Sequence, residues 1–197
     1  MQRFLLLILI CAILLPSAAS AGKGERKGFI FGGGVGFAPW VEWKFDRNDS
    51  DERANMIVTK DDGSGMYWTI MIGYGFSDRN MLVTEIDFAL YDKTIESLPM
   101  NVDQGYSGVT WYHYFGRQGS SVFGAMGFGL YRFENDLIDA METGVGIKFG
   151  LGWEFIRHFQ AGVYYTSGAT AIKFPSFDDG YKHGTLSLVL TGVVFGA

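Results

Sequence analysis

The chain has 197 residues, a net charge of −5 and a hydrophobic fraction of 48%. That length sets an expectation of one domain, and an acidic balance without a basic run argues against nucleic acid as a partner. The single cysteine, Cys11, lies in the first apolar stretch, so the rest of the chain has no thiol for a disulfide, a zinc–thiolate site or a nucleophile.

Met1-Gln2-Arg3 is followed by twelve unbroken apolar residues, Phe4–Leu15, then Pro16 and a small-residue run ending in Ala19-Ser20-Ala21. A basic start, a short apolar stretch and an A-x-A site are the parts of a secretory signal peptide. Cleavage after Ala21 is expected, giving a signal peptide over 1–21 and a mature domain over 22–197. The stretch falls short of the ~20 residues that a spanning helix needs. Cys11 sits inside it rather than at its end, which argues against lipid attachment.

Beyond the leader no apolar run approaches 18 residues, which excludes a helical membrane protein. Apolar residues recur instead at period two. The first segment, Gly28 to about Phe45, sets Phe29, Phe31, Val35, Phe37, Val41, Trp43 and Phe45 against Gly32, Gly34, Gly36, Ala38, Glu42 and Lys44. Pro39 must interrupt its ladder or sit at a bulge. The second, about Gly65–Phe76, and the third, Met81–Asp92, alternate in the same way; the third turns Glu85 and Asp87 away from Leu82, Ile86 and Phe88. The fourth and fifth, about Gly105–Gly116 and Ser121–Phe133, leave their registers open; outward Val122, Met126, Phe128 and Leu130 would also turn Arg132 outward. The sixth is the clearest: Val145, Ile147, Phe149, Leu151, Trp153 and Phe155 alternate with Gly, Lys148 and Glu154. The seventh, Phe159–Gly168, and the eighth, about Thr185–Phe195, complete the series.

Strict alternation over about 11–12 residues is the pattern of a tilted membrane strand, with one face in oil. A bilayer admits strands only as a closed barrel, because no backbone N–H or C=O can stay unpaired in hydrocarbon. The connections alternate long (46–64, 93–104, 134–142, 169–184) and short (77–80, 117–120, 156–158). Outer-membrane barrels place short turns in the periplasm and longer loops outside. Aromatics at the strand ends suit two interfacial girdles: Trp43, Phe45, Tyr67, Trp68, Tyr91 and Tyr106 at one rim, Phe76, Phe115, Trp153, Phe155 and Phe159 at the other. The expected fold is all-β: an eight-stranded antiparallel up-and-down transmembrane β-barrel behind a cleaved signal peptide.

Gly73-Tyr-Gly-Phe-Ser-Asp-Arg-Asn80, Gly152-Trp-Glu-Phe-Ile-Arg-His-Phe159 and the glycine-rich first strand resemble the small outer-membrane barrels of the OmpA/OmpX/OmpW type. The resemblance spans the mature chain. It implies a bacterial outer-membrane location, contact with membrane lipid and lipopolysaccharide, and delivery by the outer-membrane insertion machinery. Phe195 is followed by Gly196 and Ala197, whereas such proteins usually end on the aromatic residue itself.

Charges inside a narrow barrel need partners, since an unpaired one costs several kcal/mol. Glu42, Lys44, Glu85, Asp87, Lys148 and Glu154 are therefore expected to form a structural lumen network, with Asp87 and Lys148 at similar depth. No catalytic set is apparent. His113, His158 and His183 match no metal spacing. Tyr164-Tyr165-Thr166-Ser167 lacks the histidine that would activate a serine for lipid hydrolysis. Gly32-Gly33-Gly34-Val35-Gly36 has no lysine or helix after it, so it is not a phosphate loop. Asp46–Glu52 does not complete a calcium loop, because position twelve is Ile57. No cofactor or metal is expected. The surface-contact candidates lie in the first and last long loops: Asp46, Asp49, Asp51, Phe174, Phe177 and Tyr181. The resulting expectation is a non-enzymatic barrel with surface loops and an unknown surface ligand. A narrow channel for small or apolar solutes ranks second, a lipid-modifying enzyme third.

Overall fold

The computed structural model describes residues 26–46, 60–95, 98–135, 140–174 and 177–196. The signal peptide, Asp49 and Asp51 lie outside them. Eight strands run β1 (Gly28–Asp46), β2 (Lys60–Ser77), β3 (Asn80–Ile95), β4 (Leu98–Tyr114), β5 (Ser121–Asn135), β6 (Ala140–Ile156), β7 (Phe159–Phe174) and β8 (Phe177–Phe195). Each pairs antiparallel with its neighbours in sequence, and β8 closes on β1. Closure satisfies the ladder all round and leaves no sheet edge.

Alternation fixes the faces. Phe29, Phe31, Ile70, Ile72, Leu82, Val122, Phe128, Leu151 and Leu190 are exposed on the outside, while the interleaved residues are buried within. On a soluble protein such a belt would be a large uncovered apolar patch. Both open registers resolve. In β4, Val109 and Trp111 point out while Gln104, Tyr106, Thr110, Tyr112 and Tyr114 point in. In β5, Met126, Phe128 and Leu130 point out, and outward Arg132 pairs with Glu134.

Two features of β1 and the rims differ from expectation. The irregularity expected at Pro39 is present, as a register shift between Ala38 and Val41, but it reassigns the faces of the residues that follow. A bulge adds one residue to one strand and so inverts the alternation beyond it. Val41 is fully buried, and Trp40 instead stacks on outward Tyr165, centroids 6.3 Å apart. Glu42 consequently sits on the outer face and not in the lumen, and the Lys44 position follows it two residues on in the same register. Tyr67 and Tyr106 are also inside, at 2% and 1% exposure, rather than in a rim girdle. A tyrosine satisfies either environment, so residue type could not separate them. Trp68 does lie outside, stacked on Phe88 at 4.4 Å.

The strands are longer than their apolar signal. They reach 15 to 19 residues, mostly by extension at the end away from the short turns. Much of the expected loops 93–104, 134–142 and 169–184 is therefore strand. Asp46 ends β1, Phe174 ends β7 and pairs with Phe177 of β8, and Tyr181 of β8 pairs with Phe45 and Thr170. These four candidates stand on strand ends rather than in free loops. Where both faces of a hairpin meet water, the ladder continues but the period-two contrast disappears.

The opposite end carries the connections 78–79, 115–120 and 157–158. In the last, His158 adopts φ 72°, a left-handed conformation that few side chains accept. Its ring lies 2.8 Å from the Val193 carbonyl through Nδ1, tying this turn to β8.

Candidate functional site

The lumen encloses a polar environment, and its contents follow from strand parity. Tyr67, Tyr106, Tyr112, Tyr114, Tyr131 and Tyr164 project into it with Phe123 and Phe133. The wall glycines make room for these rings. A Cβ on Gly168 would lie 2.4 Å from Tyr131 Cβ, and one on Gly162 would lie 2.7 Å from Tyr164 Cε2. The lumen is thus tyrosine laid against glycine, filled as an eight-stranded interior is expected to be.

At mid-height a salt bridge crosses it. Lys148 Nζ of β6 lies 2.7 Å from Asp87 Oδ2 and 3.0 Å from Glu85 Oε2, both on β3. β4 and β5 separate these strands around the wall, so the contact spans the interior. All three side chains are at most 2% exposed. The Tyr112 hydroxyl donates to Glu85 Oε1 at 2.5 Å, and the ammonium lies 4.6 Å from the centre of the Tyr164 ring. Two carboxylates share one ammonium, and the surrounding hydroxyl and ring offset part of their lost hydration.

Glu154, the remaining expected member, is elsewhere. It pairs at the short-turn mouth with Arg26, just before β1. Arg26 is 1% exposed; its guanidinium lies 3.9 Å from the centre of the Tyr114 ring. Nη1 donates to the carbonyls of Asp78, at 2.6 Å, and Gly116, at 3.3 Å. One side chain thereby joins two turns and β6 across the opening. Sequence reasoning missed it because Arg26 stands in Lys23-Gly24-Glu25-Arg26-Lys27, which reads as a solvated basic start. The excess of lumen Glu and Asp over Lys was the available hint.

A third cluster occupies the other end. His183 stacks on Tyr131, ring centroids 5.3 Å apart, and lies 4.7 Å from Phe133. Its Nε2 is 2.8 Å from Thr170 Oγ1, and Tyr131 donates to Gln104 at 2.8 Å. Sequence placed His183 in a loop; the longer β8 carries it into the barrel. Among the described residues no group of three His, Cys, Asp or Glu could hold a metal ion.

No protein-family model and no curated protein matches the sequence. Solved structures do match the fold. Neisserial surface protein A aligns at TM-score 0.51 and 12% identity, over 84% of this chain and 96% of that one. The outer membrane protein OprG of Pseudomonas aeruginosa aligns at TM-score 0.50 and 13% identity, over 88% and 99%. The outer membrane protein AlkL, determined in DMPC lipid bilayers, aligns at TM-score 0.50 and 13% identity, over 90% and 95%. With its closed ring of eight antiparallel strands, apolar outside and filled inside, the chain has the fold of the small eight-stranded outer-membrane β-barrels.

Proposed function

We infer that this protein is a non-enzymatic barrel of the bacterial outer membrane. Its closed interior serves as a rigid anchor for surface hairpins, which contribute to envelope structure or surface contact. The observation that carries this reading is the double obstruction of the lumen, by Lys148 with Asp87 and Glu85 at mid-height and by Arg26 with Glu154 at one mouth. A solute would have to break buried ion pairs to pass, each at several kcal/mol. The short turns belong in the periplasm, which sets the long hairpins outside. There they meet lipopolysaccharide and any surface ligand, after the insertion machinery has delivered the barrel.

Planar bilayers test the obstruction. The purified protein is expected to give no steady current; a steady ohmic current would move a narrow solute channel ahead of this reading. A second experiment asks where function lives. Loops and hairpin tips carry contacts because the scaffold fixes them. Replacing 47–59 with a short Gly-Asn turn and trimming the β7–β8 hairpin beyond Thr170 and Tyr181 should leave the barrel folded. The trimmed protein should not restore the envelope or surface-binding phenotype of a deletion strain. Full restoration would place function in the wall or lumen.

A further inference from the structure

The outer wall carries a concavity that the obstructed-anchor reading does not use. It is an open groove of about 830 Å³, lined by Trp111, Phe115, Met126, Phe149, Leu151 and Tyr165, all of them outward-facing. Its floor is Gly124, where a Cβ would meet Phe115 Cε2 at 3.9 Å and Leu151 Cδ2 at 4.0 Å. A missing side chain between two large ones makes a slot in an otherwise convex belt.

The slot has one polar end. Asn80 begins β3 beside the short turns, and its Oδ1 accepts from Trp111 Nε1 at 3.2 Å and faces His113 Nδ1 at 2.8 Å. Asn80 Nδ2 is occupied by Ser77 Oγ at 2.9 Å. A carbonyl oxygen facing Nδ1 calls for the proton there, which gives His113 Nε2 the acceptor role.

The groove's length matches one leaflet. From Asn80 it climbs to the level of Met126 and Tyr165, five or six residues above the turns at Ser121 and Phe159. That is roughly 20 Å along a strand. At the ~45° tilt of membrane strands it spans about 14 Å of the bilayer normal, half of the ~30 Å hydrocarbon core. We propose that this groove is a binding site for a phospholipid of the periplasmic leaflet, one acyl chain lying over Gly124 and the headgroup meeting the Asn80–Trp111–His113 cluster. A second copy of the barrel fits less well. An isologous dimer would set groove against groove and leave an unfilled space at the centre of its interface, losing the dispersion contacts that hold packed surfaces.

Native mass spectrometry of the full barrel tests the site, in micelles doped with a phosphatidylethanolamine of one acyl composition. The wild type should retain one lipid. Gly124→Leu fills the slot and should lower retention at least fivefold. Gly33→Leu makes the same change on the outside of β1, where a Cβ meets only Thr69 O at 3.6 Å, and should retain lipid as the wild type does. Equal retention by wild type and Gly124→Leu would overturn the proposal. So would equal loss in both leucine variants, which marks unspecific annular lipid, or a two-barrel mass that Gly124→Leu abolishes. If Gly124→Leu does not fold, Gly124→Ala decides, because its methyl group fits at ordinary contact distance: retention should fall about twofold, and unchanged retention overturns the site. Loss of the groove lipid would leave the bilayer-current result untouched, so the two readings fail separately.

Discussion

Lys148→Met is expected to lower stability by about 3–5 kcal/mol, the range for breaking a buried ion pair by removing one partner. Methionine keeps the length of the stem and removes the charge. Glu85 and Asp87, at most 2% exposed, then face each other without their shared cation. The Tyr112 hydroxyl can serve only one of Glu85's oxygens. The urea unfolding midpoint of the barrel refolded into lipid vesicles measures the loss. Adding Glu85→Gln and Asp87→Asn to Lys148→Met should return most of it, because the remaining groups are neutral. A midpoint unchanged by Lys148→Met alone would mean that the three charges are not coupled.

Arg26→Met should cost a similar amount for a different geometric reason. It strands Glu154, leaves the Asp78 and Gly116 carbonyls without their charged donor, and removes the cation from the Tyr114 ring, itself worth ~0.5–2 kcal/mol. The buried ion pair dominates, so about 3–5 kcal/mol is expected in the same unfolding assay. Arg26→Lys should recover only part. An ammonium keeps the charge but lacks the planar fork that reaches a carboxylate and two carbonyls together. A full recovery by lysine would reduce the site to a point charge, and a wild-type midpoint for Arg26→Met would show that the mouth is well hydrated.

The fold was legible because oil on one face imposes a repeat that nothing else in the sequence imitates. Val145 to Phe155 alone fixed a strand and its outward face. The eight segments and three short turns followed, as did the depth match of Asp87 and Lys148, which the structure brings together. Legibility ended where that asymmetry ended. Ala171 to Phe174 and Phe177 to Lys182 mix polar and apolar residues without a period of two, so they carried no strand signal. Inside the barrel the tyrosines were hard to assign because a phenol suits a rim as well as a lumen; Tyr67 and Tyr106 went to the wrong place for this reason. Arg26 was invisible because burial of a charge near a terminus depends on contacts 52, 90 and 128 residues away in sequence.

The irregularity at Pro39 makes β1 a strand with two phases, and that has a consequence for how the gene can vary. Most single-residue deletions in a barrel strand would turn one end of it inside out. At this position a deletion would instead restore simple alternation. Phe37 and Trp40 would stay on the outer face and Ala38 and Val41 inside, because removing the one extra residue removes the bulge and nothing else. Glu42 would likewise keep its outer face, clear of a lumen already crossed by Lys148 and its two carboxylates. Loss of a single codon there would leave both the reading frame and the two faces of β1 intact.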